Sequence, residues 1–508
     1  MRLGEIMGGH DSKIGPRSEG MVFWTATLCL AAALAPWRIY ALTADVSWLI
    51  TVCEKILDGE KLYVDVLETN PPSAVLLYMP GVLLARATGL APEAATYLVA
   101  CVYVFIALVI TDRILPRCVD NAAPSRWVVL LPATLVLLLL PSDAFAQREY
   151  FAAAFALPIV AAFIRHAQTG HWPLLGDRAV AAILAGLTIA IKPPLLALPG
   201  LFVAVYYTWQ TKSWKPLYSS GLIAAGLLGV SFTLVALSIF PDYLGEIGTL
   251  MREAYIPVRS ALLSFLEEKA CLAALSLMAL SLLLSWRRQP VPAESLSLVV
   301  ALGFLAAYVL QGKYFPYHAI PAILFAFIAA IISVHHRLRT LRLRSSKAWI
   351  PSLGIYALAF AGVIVLLIAA FSEGRPTMSN VAWAKNILRP TALAISPDVA
   401  TSFPLARRIG ARWVDRNHSQ WVARYTRLAL QSSNLTDAQK AQFTRHYIAD
   451  LKWLLHRISE AKPEIIIQDV APGYLWLLRE LAAMDPHFLD AYEPIAEESG
   501  IRVLRRKR

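Results

Sequence analysis

The chain has 508 residues, of which 57% are hydrophobic and only 16% charged, with a mean hydropathy of +0.54. A soluble protein of this size cannot hide that much apolar surface, so the soluble enzyme classes are excluded. The net charge of +12 lies in short loops between apolar runs, the signature of membrane orientation rather than of nucleic-acid binding. The five cysteines (Cys29, Cys53, Cys101, Cys118, Cys271) are scattered, which implies neither a metal site nor a disulfide framework.

In chain order, residues 1–20 form a polar, basic tail expected in the cytoplasm. The apolar run that follows has no small-residue cleavage site and reads as an uncleaved anchor. Runs long enough for ~30 Å of hydrocarbon then recur, and helices are expected because they satisfy their own backbone groups in lipid. The predicted spans are 21–42, 93–112, 126–141, 150–165, 178–191, 194–210, 217–240, 270–286, 294–311, 316–334 and 349–371. The stretch 73–87 is apolar but short and broken by Pro80 and Gly81, so it is read as re-entrant or interfacial. About eleven crossings put every basic loop, up to HHRLRTLRLRSSK at 335–347, on the inner side.

Residues 372–508 have ordinary globular composition and are expected outside the cytoplasm. TALAISPDV (391–399), PEIIIQD (463–469) and the closing IRVLRRKR read as strands, and 436–458 and 473–484 as helices. Strands alternating with helices predict a small α/β domain. The expected fold class is therefore an all-α polytopic membrane domain over 21–371 with a C-terminal extracytoplasmic α/β domain.

With orientation set, the polar residues sort to one side. The outer segments are 43–72, which is rich in acids, then 141–150, 191–194, 241–269 and 311–318. Asp45 follows the first span; it is read either as a helix-end residue or as a general base or charge-stabilising carboxylate. Arg148, flanked by Gln147 and Glu149, is either an interfacial ion pair or a bidentate phosphate ligand. Lys192 precedes Pro193 and Pro194, which stop the helix and fix an outer turn. Lys313 and His318 share GKYFPYH, and His318 suits titration or donation to phosphate. Arg252 and Arg259, near Glu246 and Glu253 in 241–269, read as a solvated face or as direct substrate contacts. No phosphate-binding loop, dinucleotide fingerprint, zinc-protease motif or nucleophile elbow is present. Charges within the spans are too few for an ion relay.

These features, in this order, resemble the GT-C superfamily of polyprenyl-phosphate-dependent glycosyltransferases. The resemblance is to the bacterial branch related to protein O-mannosyltransferases and the lipid A aminoarabinose transferase. It is carried by Asp45 after the first span, by DGEKLYVDVLETNPP, by Gln147-Arg148-Glu149, by Lys192-Pro193-Pro194, and by Lys313 with Tyr317-His318. It covers about residues 20–371; the C-terminal region matches in position and size alone. The resemblance implies a polyprenyl-phosphate-linked sugar donor, a glycan or lipid acceptor, and a site in a bacterial inner membrane. It makes Asp45 the catalytic candidate and Arg148, Lys192, Lys313 and His318 the donor-phosphate candidates. Relatives often carry Asp-Glu at the first-loop site, whereas here Val46 follows Asp45. No metal ligand is therefore assigned, a divalent cation (Mg or Mn) is left open, and Glu68, Asn70, Asp143 and Glu149 are alternatives for acceptor contact or a second carboxylate. A lipid-linked glycan flippase and a polysaccharide ligase or polymerase are the rival readings.

Overall fold

The computed structural model describes residues 16–40, 42–116, 126–139, 144–215, 220–286, 288–344, 349–372, 378–432 and 434–507. A helix lies at every predicted span: Pro16–Tyr40, Pro92–Ile114, Trp127–Leu138, Arg148–Thr169, Leu175–Ile191, Leu198–Thr211, Ser220–Ile239, Lys269–Ser285, Pro292–Gln311, Ile320–Arg344 and Trp349–Phe371. Among the described residues, six helices are long and apolar enough to cross a membrane, while Trp127–Leu138, Lys269–Ser285 and Tyr356–Phe371 are apolar but shorter. The stretch 73–87 becomes two short helices, Pro72–Leu76 and Met79–Thr88. The longer has 10 residues, which at 1.5 Å per residue spans about half of a ~30 Å core.

Helix Arg148–Thr169 runs through the centre of the bundle and is buried along nearly its whole length. Helices Leu175–Ile191 and Ser220–Ile239 pack closely through glycines. A Cβ on Gly186 would lie 2.7 Å from Leu228 Cβ, and one on Gly229 2.7 Å from Ile189 Cβ. Small residues at such crossings let backbones approach where lipid provides no hydrophobic drive.

The C-terminal region folds around a five-stranded sheet of order β2-β1-β3-β5-β4, with β1 Thr391–Ile395, β2 Arg412–Trp413, β3 Ile465–Asp469, β4 Tyr492–Glu498 and β5 Ile501–Arg506. β1 pairs in parallel with β2 and β3, while β5 is antiparallel to β3 and β4. β3 is buried throughout, as its Ile-Ile-Ile run requires. β1, β3 and β5 and the helices Asp437–Ala461 and Leu475–Met484 lie where the sequence placed them. β2 and β4 were not read: β2 has two residues, and β4 is a largely exposed edge strand interrupted by Pro494. The connection after β1 runs to β2 and the one after β3 runs the opposite way to β4, so the carboxyl ends of β1 and β3 meet at a topological switch point, where open α/β sheets bind ligands.

Within the segment 43–72, residues Ala44–Leu57 form a helix and 58–71 is turn and coil with a bridge between Leu62 and Val66. Helix Ala44–Leu57 holds the C-terminal unit through Arg407. This guanidinium is 10% exposed and bonds Glu54 at 2.6 Å, Glu93 at 2.5 Å and Thr51 Oγ1 at 2.9 Å. Lys55 Nζ donates to the Trp413 carbonyl at 3.1 Å, and Leu67 N to the Arg416 carbonyl at 2.8 Å. Segment 241–259 adds Glu246 on Arg416 at 3.0 Å and Glu253 on His446 at 2.8 Å. Arg407→Met strips a mostly buried clasp of its cation and leaves two carboxylates facing each other. Stability should fall by about 3 kcal/mol, read as a lower melting midpoint and faster proteolysis of the C-terminal unit. Wild-type melting in Arg407→Met would show that the clasp does not hold the two parts together.

Candidate functional site

Thr43, not Asp45, caps helix Ala44–Leu57: its hydroxyl accepts from Val46 N at 3.3 Å. Asp45 is thereby free for another task, one residue into a helix whose N-terminus favours negative charge. Its Oδ2 receives Gln147 Nε2 at 3.3 Å and Arg148 Nη2 at 3.5 Å. Gln147 also donates to Thr43 Oγ1 at 3.0 Å. Two chain segments a hundred residues apart are thus joined around one carboxylate.

Glu149 follows Arg148 but turns to a different partner. It is fully buried and paired with Lys192 Nζ. Lys192 Nζ also donates to Gln311 Oε1 at 3.0 Å and lies 3.1 Å from His318 Nε2, which is 3.3 Å from Glu149. The Pro193-Pro194 break ends helix Leu175–Ile191 at Lys192, which turns its side chain into the bundle. Arg148 Nη2 reaches the Tyr317 hydroxyl at 3.5 Å. The structure therefore gathers Asp45, Arg148, Glu149, Lys192 and His318 into one cluster.

Lys313 belongs to a second centre. Its Nζ donates to the Tyr255 carbonyl at 2.8 Å and to the Val258 carbonyl, and it lies 4.1 Å and 4.3 Å from the Tyr255 and Tyr425 rings. Burial, then Arg259 and Arg424 nearby, push its amine down to about 8. Glu68 is a pin: Trp48 Nε1 donates to it at 2.6 Å and Asn70 N at 2.9 Å, with the Asn70 side chain also bound. Asp143 lies outside the described residues.

Both centres face one cavity of about 830 Å³. Asp45, Glu68, Asn70, Arg148, Lys192, Lys313 and His318 all line it, with Glu149 behind them. The C-terminal unit closes the cavity with Asp398 and Val399 after β1, and with Arg408, His418, Trp421, Arg424 and Tyr425. Sequence reading missed this wall, because nothing local ties Asn417-His418-Ser419 to Asp45. Arg259, read as a solvated face or a substrate contact, is exposed and also lines the cavity.

Charge is unevenly divided. Around Asp45, the cations Arg148 and Lys192 are each matched by an acid. Around Lys313, the cations Arg259, Lys313 and Arg424 face Asp398, which pairs Arg424 at 3.0 Å. The second centre carries the excess of positive charge and is the better anion site. Among the described residues, no three His, Cys, Asp or Glu side chains gather as a metal-binding group.

Glu149→Gln would leave the Lys192 ammonium buried without its carboxylate, lowering stability by about 3 kcal/mol. Adding Lys192→Met should restore most of that loss, because both charges are then gone. Thermal melting of the purified single and double variants checks this; simple additivity of the two losses would contradict the pairing.

No protein-family model matches the chain, and no curated protein matches it in sequence. Among solved structures it is similar to ArnT from Cupriavidus metallidurans, crystallised bound to undecaprenyl phosphate. The TM-score is 0.58 at 14% sequence identity, over 96% of this chain and 98% of that one. Identity this low speaks for fold alone. The two chains share one fold over nearly their whole lengths, and with its apolar helices this chain is a multi-pass membrane protein.

Proposed function

We propose that the protein is a glycosyltransferase that moves a sugar from a polyprenyl-phosphate carrier to an extracytoplasmic glycan or lipid-linked acceptor. In this reading about eleven helices cross a bacterial inner membrane, the N-terminus is cytoplasmic, and residues 372–508 form a periplasmic domain. The observation that carries it is one cavity holding a carboxylate centre at Asp45 and a separate cationic centre at Lys313. Sugar transfer needs both: negative charge beside the anomeric carbon as positive charge develops there, and positive charge where the phosphate departs.

The parts take these roles. Asp45 faces the anomeric carbon, its Oδ2 held by Gln147 and Arg148. Lys313, Arg259 and Arg424 take the phosphate. Lys192, Glu149 and His318, all read from the sequence as phosphate or acid candidates, instead fix Arg148 and the cavity floor. An apolar groove of about 280 Å³ among Ile159, Ala185, Leu196, Pro199, Leu222 and Phe304 suits a prenyl chain. ArnT's bound undecaprenyl phosphate supports a carrier of that class. Direct displacement inverts the anomeric centre.

Removing the gene from its cell should cause a polyprenyl-phosphate-linked sugar to accumulate, read by mass spectrometry of lipid extracts. The wild-type gene should clear it, and Asp45→Asn, inserted at the same level, should not. An unchanged lipid profile in the deletion strain would contradict the donor class; clearance by Asp45→Asn would remove Asp45 from the chemistry.

A further inference from the structure

The C-terminal unit reaches into the cavity with one imidazole. His418 sits on the turn between β2 and helix Trp421–Leu430 and lines the cavity with Asp45 and Glu68. The turn is held from several directions. Asp415 accepts from Arg416 N at 2.7 Å and Trp453 Nε1 at 2.9 Å; the Asn417 carbonyl accepts from Trp413 Nε1 at 2.9 Å. The Arg416 carbonyl accepts from Leu67 N at 2.8 Å, one residue before Glu68. The imidazole is edge-on to Trp48, 5.5 Å between centroids, and Trp48 is the residue that holds Glu68 at 2.6 Å. His418 Nδ1 is 2.8 Å from the buried Ser419 hydroxyl. With Nδ1 carrying the proton and donating to Ser419, Nε2 is the basic atom.

We propose that His418 takes the proton from the acceptor hydroxyl, so that the C-terminal unit supplies the base to a site it shares with the membrane helices. The proposal rests on the glycosyltransferase reading. The acceptor oxygen forms a bond to the anomeric carbon. The bond from that carbon to the phosphate oxygen breaks, and its electron pair leaves with the phosphate. The acceptor proton passes to His418 Nε2. Asp45 stays as the anion beside the anomeric carbon, and the resulting imidazolium is offset by the carboxylates that face it: Glu68 and Asp45 from the membrane part, Asp398 after β1 and Asp415 on its own turn. Burial, opposed by these four acids, holds the imidazole below its ordinary value. It is therefore neutral, and able to accept a proton, at neutral pH.

This division of labour has a sign. A base must be unprotonated, so the transfer rate falls as pH drops through the depressed imidazole value, giving an acid limb below the ordinary 6.5 for histidine. Membranes of the deletion strain contain both the accumulated donor and the unmodified acceptor. Purified full-length protein added to them consumes the lipid-linked sugar, and its loss is followed by mass spectrometry across a pH series. His418→Ala and His418→Gln should each slow turnover on the order of 100-fold and lose the acid limb, with little change in the donor concentration needed for half-maximal rate. Asp45→Asn should slow turnover but keep the limb. Wild-type rates in a folded His418→Gln, or an acid limb that survives in it, would overturn the assignment to His418. No consumption by the wild-type protein would instead overturn the glycosyltransferase reading itself.

Discussion

Burying Glu149 is the constraint around which the site is arranged. A carboxylate with no exposed surface costs several kcal/mol unless it is paired and hydrogen-bonded. Its partner, Lys192, comes from the end of another helix, and Gln311 and His318 come from two more. Four chain segments must therefore converge for the pair to exist. Their convergence sets the neighbouring Arg148 against Asp45 and Tyr317. Asp45 is thus met by Arg148, the residue that precedes the buried Glu149 in sequence.

The second determinant is the seam between membrane helices and the α/β unit. Arg407 binds helix Ala44–Leu57 on the outer turns of the same helix that begins with Asp45. Movement of the C-terminal unit would thus be felt at Asp45 and would open the wall formed by Asp398, His418 and Arg424. The unit presents its sheet's switch point to the cavity, the end at which such sheets bind ligands. Two ligand-binding architectures, a helical bundle mouth and a sheet edge, share one space. The excess cations around Lys313 come from both, Arg259 and Lys313 from the membrane part and Arg424 from the C-terminal unit.

Much of this was legible in the residues, and the reasons for the rest are physical. Apolar length located the six described helices long and apolar enough to cross a membrane, because crossing hydrocarbon imposes a strict composition. Asp45, Arg148, Glu149, Lys192 and His318 were each singled out, because charge beside a membrane edge is costly and rarely idle. Their pairing was not legible. Arg148 and Glu149 looked like one ion pair, but adjacent helical residues point about 100° apart, and each found a distant partner. Lys313 and His318 share one short motif yet serve different centres. His418 and Arg424 carry no local signal, since only the docking of the C-terminal unit brings them to the cavity. β2 was invisible for a related cause: two residues form a strand only because β1 is there to pair with them.

The central claim is that the donor's phosphate sits at the excess positive charge around Lys313 while Asp45 stands apart from it. The most direct measurement is a cryo-electron microscopy structure of the purified protein with undecaprenyl phosphate. The phosphate should lie against Lys313, Arg259 and Arg424, with the prenyl chain leaving along the groove beside Leu196 and Pro199. A phosphate bound instead between Arg148 and Lys192, or no lipid in the cavity at saturating concentration, would contradict it.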